Sequence, residues 1–355
     1  MTPAARVALI GYGVAGEHFH APLVATTAGL ELAAVVTADL QRQQRVQASY
    51  PGTVVAGGTD DLWSLPDLAL CVVATPNATH VALAEQALAR GLAVVVDKPL
   101  AVSAAAAAGL VRTARESGGR LTVFQNRRWD DDFLTARALI DGGRLGQVWR
   151  LESRFERWRP ELKPGWRESG SPGDGGGVLA DLGSHLVDQA LLLFGPVESV
   201  YAELDARRPG AAVDDDAFVA LTHRSGVRSH LWVSATAAHL GPRLRVLGSS
   251  GAFLVNGLDG QEAALRAGQR PQGLAAPGWG SGSEGRHPRF VAGDVTEPVE
   301  LQPGDYPAFY RGVAAWLGGE GPAPVDPQDA VAVLAVLDAA RRSAAEGRSV
   351  SLSAV

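Results

Sequence analysis

Short apolar runs alternate with longer amphipathic stretches through the first third of the chain. Val7–Ile10, Leu32–Val36, Leu68–Val73, Leu92–Val96 and Leu121–Phe124 are apolar nearly throughout. Runs of this kind read as parallel strands covered on both faces. Between them, Asn77–Arg90 and Ser103–Ser117 carry helical spacing. Gly91 stands where a helix C-cap favours glycine, and Ser103 has the side chain of an N-cap. Ala104–Ala108 fits inside the second helix because alanine is the best helix former. The alternation predicts a doubly wound parallel sheet in an α/β unit over residues 1–124.

The texture changes over residues 125–355. Val148–Trp158 alternates and is long. Val197–Arg207, Asp216–His223, Val227–Ser234, Arg243–Leu247 and Ala252–Val255 follow with short turns between them. Consecutive strands without intervening helices predict a large open, mostly antiparallel sheet in an α+β second unit. Val178–Phe194 reads as the main helix of this half. Gly268–Gly293 reads as a long surface loop. Asp326–Glu346 reads as an amphipathic helix that packs back toward the first unit.

A chain of 355 residues, 46% hydrophobic, can bury a core in each of two units. Its formal charge of -6 gives no bulk reason to bind nucleic acid or an anionic membrane. The single cysteine, Cys71, lies in an apolar run and reads as a buried thiol. No apolar stretch reaches the roughly 20 residues of a membrane helix. The chain opens without a signal-peptide pattern, so the expected location is cytoplasmic.

Gly11, Gly13 and Gly16 follow the first strand with the spacing of a dinucleotide-binding loop, enclosing Val14 and Ala15. The first glycine allows the tight turn, the second admits a pyrophosphate, and the third packs helix on strand. With 42 glycines in 355 residues, about 0.6 such spacings arise by chance. Its place at the opening of a strand–helix–strand alternation carries the reading. The second strand ends Thr37-Ala38-Asp39. Asp39 is placed either to accept ribose hydroxyls or to cap the next helix, while Arg42 and Arg45 suit a 2′-phosphate. The cofactor choice is therefore NADP or NAD, tilted toward NADP.

Lys98 follows Asp97 at the carboxyl end of a strand, the edge that borders the ligand crevice of an open α/β sheet. A lysine there can hydrogen-bond a hydroxyl and hold developing negative charge. Asp181 and His185 are four residues apart and share a helix face. A carboxylate beside an imidazole can bind a carbinol and take its proton. The structural alternative is a surface ion pair or a satisfied core histidine. No metal is expected, since further His or Cys ligands are missing nearby.

Together these signals resemble the Gfo/Idh/MocA oxidoreductases, the family of glucose–fructose oxidoreductase and inositol dehydrogenase. Gly11–Pro22, Ala74–His80, Asp97-Lys98-Pro99 and Asp181–His185 carry the resemblance, which spans essentially the whole chain. Gln125–Phe133, Trp158–Pro160, Trp166-Arg167 and Asp259–Gly268 look most like its NADP-dependent scyllo-inositol dehydrogenases. The resemblance implies a Rossmann unit followed by a substrate-binding sheet whose outer face forms homodimer or homotetramer contacts. It implies chemistry at Lys98, Asp181 and His185. It implies a cofactor crevice lined by Thr75, Pro76, Asn77 and His80, with Trp166 and Arg167 reaching the cofactor. The family usually has glutamate where this chain has Asp97, so the reach of that carboxylate is shortened.

The expected activity is hydride transfer between NAD(P) and the carbinol carbon of a sugar or cyclic polyol. His185 would serve as base, with Lys98 polarising the reacting oxygen and Asp181 orienting. Arg127, Trp129, Asp130 and Trp158 are candidates for the polyol pocket, where aromatic faces and charges suit a sugar. Two other readings stay open: a glycosidase that uses tightly held NAD, and a non-catalytic dinucleotide sensor.

Overall fold

The computed structural model describes residues 3–163, 165, 168, 174–271, 279–280 and 285–352. Six strands build the first sheet: β1 (Ala5–Ile10), β2 (Leu30–Val36), β3 (Val54–Ala56), β4 (Leu68–Val73), β5 (Ala93–Asp97) and β6 (Leu121–Phe124). Their order is β3-β2-β1-β4-β5-β6, parallel throughout. The order reverses between β1 and β4. At such a switch point the carboxyl ends of the two strands open a crevice. All five expected strands are present. β3 was not expected: it is a short edge strand of three residues, too brief to give a periodic signal.

Nine strands build the second sheet. These are β7 (Val148–Glu156), β8 (Val197–Asp205), β9 (Asp216–His223), β10 (Arg228–Ser234), β11 (Leu244–Gly248), β12 (Gly251–Val255), β13 (Arg289–Ala292), β14 (Val295–Pro298) and β15 (Val350–Ser351). Their order is β14-β13-β12-β11-β7-β10-β9-β8-β15. Only β7 and β10 pair in parallel; the other contacts are antiparallel. The expected open, mostly antiparallel sheet is thus present. One correction falls on Gly268–Gly293. Its end is not loop: Arg289–Ala292 pairs with β12, and Phe290 is buried. Residues 272–278 and 281–284 of that stretch lie outside the described residues.

Two helices differ in their first turn from the spacing that predicted them. Asn77–Arg90 opens as a 3-10 turn, Asn77–Thr79, before the α-helix His80–Leu88. Val178–Phe194 opens as a π-turn over Leu179–Gly183, followed by α-helix Ser184–Phe194. Wider turns inside helices recur at functional sites, and this one carries Asp181.

The caps read from the sequence are in place. The Ser103 side chain accepts from Ala106 N at 3.3 Å. A cap of this kind contributes about 1 kcal/mol. The terminal helix Pro327–Glu346 starts on Asp326, which accepts from Gln328 N, and ends on left-handed Gly347. It packs on helix Ala104–Glu116 of the first sheet and on β8 of the second. Asp338 accepts the free Ala104 N–H at 2.9 Å, placing a carboxylate on a helix N-terminus. Cys71 is buried in β4, and burial pushes its thiol up to about 12. Among the described residues no helix is long and apolar enough to cross a membrane.

Candidate active site

Each glycine of the loop after β1 is required for a different reason. Gly11 has φ +99°, and a Cβ there would stand 2.4 Å from the Ala74 carbonyl oxygen. A Cβ on Gly16 would stand 2.1 Å from the Gly11 carbonyl oxygen. A Cβ on Gly13 would meet nothing within 4 Å. So Gly11 and Gly16 bring strand, loop and helix together, while Gly13 faces open space. The helix begins at Val14, and its first N–H groups have no partner within the helix. Open space in front of unspent N–H groups fits a pyrophosphate.

The loop after β4 packs against the end of β1. Ala74 N donates to Ile10 O at 2.8 Å. Thr75 is half-buried, with its hydroxyl 2.7 Å from that of Thr79, and Pro76 is exposed. Asn77 is buried and donates to Gly175 O at 3.2 Å, reaching the glycine run before Asp181. His80 is fully buried. Its two ring nitrogens lie 2.9 Å from Thr75 O and 2.9 Å from Pro99 O. His80 therefore ties the loop after β4 to the loop after β5, and none of Thr75, Pro76, Asn77 and His80 is among the residues that line the cleft beside Lys98.

At the end of β2, Thr37 is buried and Asp39 is the N-cap of helix Leu40–Ser49. Asp39 Oδ1 accepts from Gln41 N at 2.9 Å and Arg42 N at 3.0 Å. Its Oδ2 stands 3.6 Å from the Arg42 guanidinium. The capping role weighed for Asp39 is the one its contacts support. Arg45 pairs instead with Glu17 at 2.7 Å.

Lys98, Asp181 and His185 meet in one cleft of about 480 Å³ between the two sheets, which Val14, Ala15 and Asp97 also line. Lys98 Nζ donates to the Asp181 carbonyl oxygen at 2.6 Å and to Oδ1 at 3.0 Å. His185 is buried and stacks on Phe155, with ring centroids 6.4 Å apart. Among the described residues its Nδ1 is buried without a hydrogen-bond partner. Burial, and then the cations Lys98, Arg127, Arg243 and Arg157, hold the imidazole well below its ordinary value. Asp97 is buried at the end of β5, 3.6 Å from His20 Nε2. Burial opposes its charge, but His20, Lys98 and His80 prevail and keep the carboxyl below its usual range.

The four pocket candidates separate. Arg127 lines the cleft, but its guanidinium is committed. It reaches Asp130 at 3.1 Å and Glu262 at 2.5 Å, and lies 4.5 Å over Phe155. Asp130 is fully buried behind it and accepts from the Tyr306 hydroxyl at 2.7 Å. Trp129 packs edge-on against Phe309. Trp158 is 58% exposed. Trp129, Asp130 and Trp158 do not line the cleft. Trp166 and Arg167 lie outside the described residues. In their place the cleft receives Phe155, Arg157, Arg159, Lys163, Glu262 and Arg266. The period of two along β7 was the available signal. Phe155, Arg157 and Arg159 share one face, which leaves Trp158 on the other.

Comparison with known proteins agrees with this geometry. Residues 5–125 match the oxidoreductase family with an NAD-binding Rossmann fold, and residues 133–254 match the Gfo/Idh/MocA C-terminal domain. YdgJ of Escherichia coli K12, an uncharacterized oxidoreductase, is 40% identical over 341 residues, 96% of each chain. The scyllo-inositol 2-dehydrogenase (NADP(+)) IolW of Bacillus subtilis is 31% identical over 351 residues, 98% of this chain and 96% of that one. The solved structure of yvaA from Bacillus subtilis matches with a TM-score of 0.92 at 30% identity, covering 99% of both chains. The chain belongs to the Gfo/Idh/MocA family of NAD-binding oxidoreductases.

Proposed function

We propose that this protein is an NAD(P)-dependent dehydrogenase acting on a CH–OH carbon of a sugar or cyclic polyol. The observation that carries the reading is His185. It is a neutral, buried imidazole with an unpartnered Nδ1, set beside the Lys98–Asp181 pair in the cleft that the glycine loop opens. A bound nicotinamide supplies the hydride acceptor or donor. The chain's own residues handle the proton. His185 accepts it from the reacting hydroxyl. Lys98 donates a hydrogen bond to the same oxygen and holds the charge that develops there. Asp181 fixes the ammonium. The relative IolW, named for scyllo-inositol, supports a polyol-sized substrate. The testing experiment follows nicotinamide absorbance across inositols, aldoses and aldonolactones, with NAD and NADP in parallel. Turnover of at least one is expected, and none with any member would overturn the reading.

The pH dependence follows from the same group. The imidazole lies below 6.5, so the proton-accepting form persists through neutral pH. In the oxidation direction kcat/KM is expected to stay flat down to pH 6.5. Below its acid limb it should fall about tenfold per unit as His185 is protonated. A limb at or above 6.5 would count against His185 as base.

We infer a preference for NADP. Asp39 Oδ1 is spent on the helix cap, and Arg42, in the first turn after β2, is held among the described residues only by the 3.6 Å contact with Asp39 Oδ2. Arg42→Met is expected to weaken NADP binding about tenfold, the loss of one charge-assisted contact. NAD binding should change by less than about twofold. The cap uses the Arg42 backbone N–H, so it survives the substitution. Equal losses for both nucleotides in a fluorescence titration would reject the preference.

A further inference from the structure

The cleft beside His185 holds more positive charge than its own carboxylates neutralise. Lys98 is paired with Asp181 at 3.0 Å, Arg127 with Glu262 at 2.5 Å, and Arg266 with Glu262 at 2.9 Å. Glu168 pairs with Arg208 at 3.2 Å, and Asp97 faces His20. Three cations that line the cleft remain: Arg157, Arg159 and Lys163. Among the described residues none of their side chains has a carboxylate within ion-pair range.

Arg157 is the most telling of the three. It is half-buried, and its guanidinium lies 4.8 Å over the Phe155 ring. That same ring carries His185 at 6.4 Å. The base and this cation thus border the same ring, as Arg127 also does, and are separated by no more than the two distances together. A monosaccharide with a charged exocyclic group spans such a gap. Burial, and then Arg159, press the Arg157 guanidinium downward in pKa against the weaker pull of Glu262 and Asp181, which are paired with Arg127 and Lys98; arginine remains charged in proteins. A half-desolvated charge with no carboxylate in ion-pair range is costly, and a ligand anion relieves that cost. The cofactor's pyrophosphate has its own seat at Gly13–Gly16, and the nicotinamide end brings no anionic oxygen.

We propose that the substrate carries an anionic group, a carboxylate or a phosphate, bound by Arg157 with Arg159 and Lys163 at the rim. The proposal rests on the dehydrogenase reading above and narrows it from neutral sugars and polyols to acidic ones.

Calorimetric titration of the NADP-saturated protein tests it. The probes are D-glucuronate, D-galacturonate, D-glucose 6-phosphate and myo-inositol 1-phosphate, each against its neutral parent. At least one acidic probe is expected to bind at least about tenfold more tightly than its parent, as one charge-assisted hydrogen bond provides. The uronates and the phosphates separate the two sources of the anion. In Arg157→Met the preference should vanish, and Arg157→Lys should restore part of it. The NADP dissociation constant should stay within about twofold in both. Three results would overturn the proposal: no acidic probe outbinding its parent, a preference unchanged in Arg157→Met, or NADP affinity falling together with it. The last would assign Arg157 to the cofactor's phosphates. Turnover of the same probes separates this from the parent reading. Preferential binding with no turnover of any sugar or polyol sinks the dehydrogenase and leaves the anion site. Turnover of neutral sugars alone does the reverse.

Discussion

Lys98→Met is expected to lower kcat by about a thousandfold, the range that a positioned proton-donating group contributes. Methionine keeps the length of the side chain and removes both its charge and its hydrogen bonds. The ammonium is held by the carbonyl oxygen and Oδ1 of Asp181, at 2.6 and 3.0 Å, so it enters the reaction already oriented. After burial, the Lys98 ammonium does the most to hold the His185 imidazole below its ordinary pKa. The acid limb of the pH profile should therefore move upward in the variant. The nucleotide dissociation constant should change by less than about threefold if the pyrophosphate sits at Gly13, on the other loop. Stopped-flow turnover and a nucleotide titration on the same preparation read the three quantities. Parallel loss of kcat and nucleotide affinity would place Lys98 with the cofactor. An unchanged kcat would reduce the Lys98–Asp181 pair to scaffolding.

The glycine loop yields the second large effect, as a contrast between two variants. In Gly13→Ala the new methyl meets no protein atom within 4 Å, so the melting temperature should hold within about 2 °C. The methyl intrudes on the space in front of the helix N-terminus, and nucleotide binding should weaken by at least about a hundredfold. In Gly16→Ala the methyl would stand 2.1 Å from the Gly11 carbonyl oxygen. Strand and helix must separate to admit it, at a cost of about 1–3 kcal/mol, and the melting temperature should drop by several degrees. Calorimetry and nucleotide titration separate the two. If Gly13→Ala binds nucleotide normally, the open space at Gly13 is not the pyrophosphate seat.

Much of this architecture is written locally in the chain. Buried parallel strands such as Leu68–Val73 announce themselves as unbroken apolar runs. The caps at Ser103 and Asp326 announce their helices through side-chain chemistry within three residues. Lys98, Asp181 and His185 could be nominated because strand ends and helix faces fix direction. What stayed hidden depended on contacts distant in sequence. Trp129 looked like a sugar platform, but Phe309, far along the chain, claims its ring. Asp130 looked free, but Tyr306 and Arg127 enclose it. Arg157 and Arg159 were overlooked because their importance lies in the lack of a counterion, which no spacing records. Helix Leu40–Ser49 buries only Val46 and so lacks an apolar stripe, which left its cap at Asp39 as the one signal for it.

The terminal helix gives the molecule an order of completion. Its Asp338 seals the N-terminus of helix Ala104–Glu116, and just before it Val325 O accepts from the Thr122 hydroxyl of β6 at 2.7 Å. The covering layer of the first sheet is thus encoded at the far end of the chain. Synthesis delivers the six strands of the first sheet before the helix that covers them. Until helix Pro327–Glu346 emerges, one flank of that sheet waits bare, with the Ala104 N–H and the Thr122 hydroxyl lacking the partners that cover them in the fold.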